Sequence, residues 1–369
     1  VKTPAGLDLD SFWSTILAAR PTAAPIEGFD TTGHPVAYAC EARDFDPKRY
    51  LDHKEARRTD RATQFGLTAA LDALAQAGEP GADPARSAVV AGTGVGGFET
   101  VETQALTVVR RGPDRISPLT VPMMMPNATS ALIGLTLGWT GPNLTITTAC
   151  AAGANAIGEA ARLIRSDEAD VVLAGGTEAA VTSVATAAFD RMGALSKNPD
   201  PGAASRPFDA DRDGFVMGEG AGFLLLEEVE RARARGATVL GELIGYGRNA
   251  DAHHITAPAP GGAGAVACMQ AALTDAGLTP DAIGHVNAHG TSTPLNDAAE
   301  SEAIKTVFDG RAVPVTSIKG VIGHLIGGAG AVEAVAALLS IRAGQVPPTA
   351  NHQRRGPDIE VEVVHDDPV

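Results

Sequence analysis

The sequence has few cysteines and few aromatic residues. Only three of its 369 residues are cysteine, and aromatic side chains make up 4%. A small, odd number of cysteines (Cys40, Cys150 and Cys268) in a long chain favours a reducing compartment without structural disulfides. Cysteine and histidine show no metal-ligand spacing, which argues against a zinc site. We therefore expect a cytoplasmic protein that binds no metal.

The sequence also lacks an excess of basic residues and a long apolar run. Its net charge of −15 opposes nonspecific binding to nucleic acid. No run approaches the roughly 18 apolar residues of a membrane span, and no charged-then-apolar signal peptide opens the sequence. Hydrophobic residues make up 44%, which is ample for a large core, and the 42 glycines favour tight turns. We expect no membrane and no nucleic-acid partner.

One of the three cysteines lies at a junction that suits chemistry. A β-rich segment, Leu144 to Thr147, leads to small residues from Ala149 to Ala156 that read as a helix start, with Cys150 at the junction. Unpaired N–H groups and the helix dipole at a first turn favour a thiolate. The alternative is a buried cysteine in a packed helix, which is common for a lone cysteine.

The second half of the sequence repeats the first. A helix, Gly78, a strand and Gly92 in the first half are matched by a helix, Gly277, a strand and Gly290 in the second. This predicts an α/β fold of two similar halves, residues 1–237 and 238–369, with a new strand starting near Glu242.

The duplication also relates two candidate site residues. Setting Cys150 on His324 aligns a pair of glycines and a pair of glutamates: Gly153 with Gly327, and Glu159 with Glu333. Both segments open a helix of small residues. The two helix starts are therefore expected to face each other across the middle of the fold.

Two further residues lie at element ends beside glycine. His289 ends a predicted strand next to Gly290, and Lys319 precedes His324 in a glycine-rich segment. Loop positions at strand ends are where binding residues collect. A single histidine of this kind is more often structural, but a cysteine, two histidines and a lysine together favour catalysis.

Four motifs carry a family resemblance: Thr148 to Ala151, Phe208 to Gly222, Asn287 to Thr293, and Lys319 to Gly330. With them the chain resembles a β-ketoacyl-acyl-carrier-protein synthase, a condensing enzyme of the thiolase superfamily, from about Leu9 to Val364. The nearest group is the Cys-His-His elongating synthases of fatty-acid synthesis and of type II polyketide synthesis. The resemblance implies a thiolase-like fold, in which duplicated α/β halves form a five-layered αβαβα core.

The resemblance implies a decarboxylative Claisen condensation of a cysteine-bound acyl chain with malonyl-acyl-carrier protein, giving β-ketoacyl-carrier protein and CO₂. Cys150 would be the nucleophile, and His289 and His324 would hydrogen-bond the malonyl carbonyl while its enolate develops. Lys319 resembles the lysine that orders the second histidine, and Glu333 the glutamate of the same network.

The family has further binding positions that match this sequence. They are two phosphopantetheine-binding threonines (Thr291 and Thr293), two acyl-pocket residues (Met125 and Phe189) and a basic patch that docks the carrier protein (Lys54, Arg57 and Arg58). From spacing alone, Lys54, Arg57, Arg58 and Arg61 share one helical face, which is either a solvated surface or a dock for an acidic partner. The resemblance favours the dock.

The resemblance also bears on partners. It implies no cofactor of its own, because the substrates are carried on the 4′-phosphopantetheine of acyl carrier protein. It implies a homodimer, or a heterodimer with a chain-length-factor-like subunit. The alternative function is that of such a non-catalytic subunit; those lack the nucleophile, so Cys150 disfavours it.

Family members have a central strand before the position of Val1, and a Gly-Phe-Gly-Gly loop and strand after the position of Val369. That loop supplies the second oxyanion-hole amide and an aromatic gate beside the cysteine. We expect the protein to include both segments.

Overall fold

The structure is a computed structural model that describes all residues from Val1 to Val369. Its helices are α1 Leu9–Leu17, α2 His53–Ala56, α3 Arg61–Ala77, α4 Phe98–Arg111, α5 Thr120–Met124, α6 Ala128–Leu137, α7 Ala152–Arg165, α8 Ser183–Arg191, α9 Val229–Ala234, α10 Ala263–Ala276, α11 Pro294–Val307, α12 Lys319–Ile322 and α13 Ala329–Ala343. Its strands are β1 Ala24–Pro25, β2 Tyr38–Ala39, β3 Ser87–Gly92, β4 Asn143–Ile146, β5 Val171–Glu178, β6 Gly220–Glu227, β7 Val286–Asn287, β8 Pro314–Thr316 and β9 Glu362–Val363.

The first half is built on a four-stranded sheet in the order β4-β3-β5-β6. Strand β3 runs parallel to β4 and β5, whereas β6 is antiparallel to β5. All eight residues of β5 are buried, as expected for a strand covered on both faces. Helices α3 and α6 pack on one face of the sheet, and α7 and α13 pack on the other.

The second half has a three-stranded parallel sheet in the order β7-β8-β9. Its core joins residues of α11, such as Ile304, to Val315 of β8 and to Phe208, with partly buried side chains of α10 packed against them. The layers therefore run helix, sheet, helix, sheet, helix. This is the α/β arrangement expected from the sequence.

The duplicated glycines meet where α7 and α13 cross. A Cβ atom on Gly153 would lie 2.9 Å from the Gly327 carbonyl oxygen, so the close approach requires glycine. The two helix starts are not in the expected register, because α7 begins two residues after Cys150 and α13 five residues after His324. The His324 backbone is bridged to Met217, which delays the start of α13.

The expected strand near Glu242 is wrong. Residues 237–250 form no regular element. Gly245 and Gly247 lie against the α10 backbone, where added Cβ atoms would approach Ala272 and Cys268 carbonyl oxygens within 2.4 and 2.1 Å. The segment packs on a helix and pairs with no strand.

One segment has the length and composition of a membrane span, contrary to the expectation from the sequence. Residues Ile326–Ala343 have a mean hydropathy of 1.4 over 18 residues. Half of this window is buried, and α13 packs against α7, β5 and β6. We interpret it as a core helix whose apolar composition reflects packing on the first sheet.

Candidate active site

The chain turns sharply at Cys150. Strand β4 ends at Ile146, and a 3-10 turn, Ala149–Ala151, leads directly into α7. Ala149 has φ of +51°, a left-handed conformation that favours small residues. The turn leaves the Cys150 side chain half-buried, among the apolar residues that surround α8.

His324 is fixed by its backbone. Its N–H donates to the Val216 carbonyl over 2.7 Å, and its carbonyl accepts from Gly218 N–H over 2.9 Å. The preceding Gly323 has φ of +68°, and a Cβ there would lie 2.8 Å from the Val216 carbonyl oxygen. Only glycine fits this turn, which explains one glycine of the motif around His324.

The hydrogen bonds of the His324 ring determine its tautomer. Nδ1 lies 3.2 Å from the backbone nitrogen of Ile326 and accepts its N–H. An accepting Nδ1 carries no proton, so the proton of the neutral ring is on Nε2. Nε2 lies 3.0 Å from the Cys150 sulfur. His324 therefore directs a hydrogen-bond donor at the thiol.

His289 lies beside His324, with the ring centroids 5.2 Å apart and the planes nearly perpendicular at 83°. Hydrogen bonds hold both the backbone N–H and the backbone carbonyl of His289. Glu300 of α11 accepts the N–H groups of His289 and Gly290 over 2.6 and 2.7 Å, and Lys319 Nζ donates to the His289 carbonyl over 2.6 Å. The structure thus brings Cys150, His289 and His324 together.

Lys319 links the two histidine-bearing segments. Its side chain is 1% exposed, and Nζ also forms an ion pair with Glu333 of α13. A buried charge needs such partners, because breaking a buried pair costs about 3–5 kcal/mol. The network that the resemblance implied for Lys319 and Glu333 is present as a contact.

Burial sets the charges of the site. Burial, reinforced by the Lys319 charge, lowers the pKa of His289 to about 3 and holds that of His324 well below its usual value. Both rings are therefore neutral at physiological pH. Burial also raises the pKa of the Cys150 thiol, opposed by the charge of Lys319. Burial therefore opposes the thiolate expected from the helix start, because it disfavours the charged form of the sulfur.

Sequence reasoning missed two carboxylates, the half-buried Glu300 and the fully buried Glu178. Burial raises their pKa values to about 6 and about 7 respectively. Glu300 is one of several charged residues on α11, and nothing in the sequence pattern distinguishes it from the others. Glu178 carried a readable signal, because a charged residue ends a strand whose other residues are apolar or small.

The other predicted site residues lie on three different segments. The hydroxyls of Thr291 and Thr293 are 2.8 Å apart, on the segment that follows His289. Phe189 packs in the apolar cluster that includes Cys150, and its ring contacts Phe215, 5.4 Å away. Met125 is 39% exposed and lies at the end of α5, on the surface of this chain.

The exposed basic patch contains three of the four residues predicted for it. Lys54, Arg57 and Arg58 are exposed and form no ion pair within the chain. Arg61 does not belong with them, because Asp60 caps a new helix and turns Arg61 inward. Its guanidinium pairs with the buried Glu219 over 2.6 Å. The single helical face predicted for all four residues is wrong.

The site residues do not suit a bound metal or dinucleotide. The ligand-type atoms of Cys150, His289 and His324 lie within 4.8 Å of one another. However, the Ile326 N–H occupies His324 Nδ1 and leaves the proton on Nε2, so Nε2 has no lone pair for a metal. The glycine loop after β3 gives two of its N–H groups to Glu178 rather than to a phosphate.

Sequence profiles account for most of the chain. The profile for "Beta-ketoacyl synthase, N-terminal domain" matches residues 1–232, and that for "Beta-ketoacyl synthase, C-terminal domain" matches residues 240–353. The chain belongs to the β-ketoacyl synthase family. It is an enzyme, an acyltransferase that forms carbon–carbon bonds.

Relatives of this β-ketoacyl synthase agree with the assignment. It is 45% identical over 369 residues to 3-oxoacyl-[acyl-carrier-protein] synthase 2 of Synechocystis sp., covering 98% of this chain and 88% of the relative. Identity to the synthase of the same name from Staphylococcus aureus strain COL is 43% over 368 residues, with the same coverage.

Solved structures share its thiolase-like fold. The ishigamide ketosynthase/chain length factor superposes with a TM-score of 0.93 at 36% identity, covering 100% of this chain and 91% of that one. A ketosynthase bound to its type II polyketide acyl-carrier protein and a hexaketide gives a TM-score of 0.90 at 31% identity, covering 100% and 90%.

Proposed function

We propose that this β-ketoacyl synthase elongates acyl chains in fatty-acid or type II polyketide synthesis, with Cys150 as the nucleophile and His289 and His324 as hydrogen-bond donors. The observation that carries this proposal is the Nε2–H of His324, 3.0 Å from the Cys150 sulfur and fixed in that tautomer by the Ile326 N–H.

The first step transfers the acyl chain to the enzyme. The Cys150 sulfur attacks the thioester of an acyl-carrier protein, the bond between the acyl carbon and the carrier sulfur breaks, and the carrier thiolate takes up the cysteine proton. The N–H groups at the start of α7 and the His324 donor stabilise negative charge on sulfur as the proton leaves. The chain is then held as a thioester on Cys150.

The second step uses malonyl-carrier protein. Loss of CO₂ leaves an electron pair that becomes an enolate, and donors from His289 and His324 stabilise its oxygen. The carbanion carbon attacks the Cys150 thioester, a carbon–carbon bond forms, and the cysteine thiolate leaves. The thiolate then takes a proton from solvent water, which restores the thiol. Neutral histidines suit this step, because a charged imidazolium would be costly in so dry a site.

The substrates reach this site on a carrier. We assign Thr291 and Thr293 to the phosphopantetheine arm, because their hydroxyls lie just after His289. We assign Phe189 to the acyl pocket, on the basis of its place in the apolar cluster around Cys150. The phosphopantetheine belongs to the carrier protein, so the enzyme needs no cofactor of its own.

A second chain completes the proposal. Strand β4 is a free edge of the four-stranded sheet, and α4, α5 and α6 beside it expose apolar side chains, among them Val109 at 83% and Leu135 at 79%. Such edges and patches call for a partner. We propose a dimer with a second copy or a chain-length-factor-like subunit, in which Met125 reaches the neighbouring pocket.

Two further assignments complete the proposal. The nucleophile lies in the half spanning residues 1–237, and both histidines lie in the half spanning 238–369. The three cysteines form no disulfide. We assign the enzyme to the cytoplasm, where carrier proteins are the acidic partners of its basic patch.

Reversing the basic patch is expected to weaken carrier docking. In a Lys54→Glu/Arg57→Glu/Arg58→Glu variant, the KM for malonyl-carrier protein should rise by about tenfold or more, because acidic partners are steered by such charges. The kcat should change little. Steady-state kinetics at low and at high salt measure this, with Arg20→Glu, an exposed arginine in another part of the chain, as the matched control. An unchanged KM at low salt would refute the dock.

The reaction itself is tested by product mass. Given a carrier protein loaded with an acyl chain and malonyl-carrier protein, the enzyme should form a β-ketoacyl-carrier protein. Its acyl chain should be two carbons longer, and one CO₂ should be released per condensation. Chain lengths accepted alone and with a candidate partner subunit distinguish the fatty-acid from the polyketide pathway. Absence of any extended product with both substrates present would overturn the proposed function.

A further inference from the structure

Glu178 is a fully buried carboxylate behind the reacting groups. It ends β5 and is 0% exposed. Four donors reach its two oxygens: the N–H groups of Gly94, Gly327 and Val95 over 2.6, 3.0 and 3.4 Å, and the Thr93 hydroxyl over 3.0 Å. The Thr93 hydroxyl also accepts from Gly96 N–H, so it donates to Glu178. Only an ionised carboxylate accepts all four bonds.

These bonds join the two halves of the chain beside the thiol. Gly94 belongs to the loop after β3, and Gly327 to the 3-10 turn between His324 and α13. Within that turn Ile326 has φ of +45°, a strained conformation for a β-branched residue that surrounding contacts must maintain. The N–H of Ile326 fixes His324, and the next N–H, of Gly327, is bound by Glu178.

We propose that Glu178 is a positioning residue for the condensation: its carboxylate holds the turn at residues 326–328, which keeps the Ile326 N–H on His324 and the Nε2–H donor directed at Cys150. The inference rests on the role proposed for His324. Glu178 touches neither substrate, so it acts on the rate of the chemical step and not on carrier binding.

Protonation of Glu178 removes the negative charge of the acceptor, which weakens the hydrogen bonds from the N–H groups of Gly94, Gly327 and Val95. Burial raises the pKa of Glu178 to about 7, against the opposing hydrogen bonds. Because the carboxyl pKa is raised, the ionised form that holds the turn predominates above pH 7 and is lost as the pH falls through 7. Neither histidine accounts for such a transition, since their pKa values lie far lower.

Few other ionisable groups face this carboxylate. Cys150, on the turn before α7, interacts with it through space, and its own pKa is raised. The loop of residues 93–97, the turn of residues 326–328 and Gly220, its partner on β6, carry no ionisable side chain. Glu219, next to Gly220, is bound to Arg61 and directed away. Glu300, on the far side of His289, titrates near pH 6.

The test compares the full-length enzyme with Glu178→Gln, which keeps the shape but places an NH₂ group against N–H donors. We expect kcat at pH 8 to fall by about tenfold to a hundredfold, the typical effect of a lost hydrogen bond to a charged group, with the KM for malonyl-carrier protein unchanged. The decline of kcat through pH 7 seen in the wild type should be absent. If Glu178→Gln kept both the kcat and the pH profile of the wild type, the inference would be overturned.

An Ile326→Gly variant tests the same turn without altering the carboxylate. Glycine adopts positive φ freely, so the turn should no longer depend on Glu178. We expect the ratio of kcat at pH 6 to kcat at pH 8 to rise, and Glu178→Gln to cost less in this background than in the wild type. Equal costs in both backgrounds, or an unchanged ratio, would contradict the inference. Wild-type enzyme that forms no extended product would instead overturn the proposed function.

Discussion

Replacing Cys150 with alanine is expected to abolish acylation of the enzyme and all chain extension. Of the three cysteines, Cys150 is the one whose sulfur lies against both histidines. Cys40 is buried with its sulfur beside the Val321 carbonyl, and the Cys268 thiol donates to the Gly247 carbonyl over 3.3 Å. Alanine cannot form a thioester, so the loss is complete rather than partial. Intact-protein mass after incubation with acyl-carrier protein measures it directly.

The matched control for this prediction is Cys268→Ala. Cys268 is also a partly buried cysteine whose pKa is raised by burial, but it has no neighbouring donor of the His324 kind. The control should acylate and extend like the wild type. Acyl-enzyme formed by Cys150→Ala would rule out Cys150 as the nucleophile.

Replacing His324 or His289 with alanine is expected to remove most of the condensation. In the proposed mechanism each change deletes a donor to the enolate oxygen, and loss of such a donor costs about 10²–10³ in kcat. Acyl transfer to Cys150 should fall less, because the N–H groups at the start of α7 remain. Separate rates of acyl-enzyme formation and of CO₂ release distinguish the two steps.

His365→Ala provides the control for the histidine variants, because His365 is exposed and contacts only Asp366 and the His352 ring, away from Cys150. It should leave both rates at the wild-type values. Unchanged product formation by His324→Ala and by His289→Ala would refute the donor roles.

The central pair of the site could be predicted because both residues lie in local motifs. Cys150 ends a β-rich segment before a run of small residues, and His324 follows a glycine whose positive φ no other residue adopts easily. The duplication then related the two helix starts, although the turn after His324 shifts the start of α13. The helix before Gly78, the strand before Gly92 and the helix start after Cys150 were also predicted from the sequence, and they are α3, β3 and α7.

Other features could not be predicted because they depend on what meets in space. The role of Glu178 and Glu300 lies in the backbone N–H groups whose hydrogen bonds they accept. Those N–H groups belong to other segments of the chain. A strand near Glu242 was predicted at the start of the second half, but a strand forms only when another strand lies beside it. For Arg61 a local signal did exist, since Asp60 is a good helix N-cap that divides the basic segment in two.

The charge state of Cys150 shows the limit of motif reasoning most clearly. A helix start favours a thiolate, but burial acts in the opposite direction, and only the packed structure reveals its extent. The thiol is therefore kept protonated until a thioester arrives. In the proposed mechanism a donor histidine then matters more than a base, because the departing carrier thiolate takes the proton.

The most direct test of the central claim is a single-turnover experiment. Enzyme acylated at Cys150 is mixed with malonyl-carrier protein carrying ¹³C in its free carboxylate, and the acyl-enzyme mass and labelled CO₂ are followed together. We predict that both change at the same rate in the wild type, and that His324→Ala keeps its acyl group while releasing almost no CO₂. Extended product formed without loss of the acyl group from Cys150 would contradict the account.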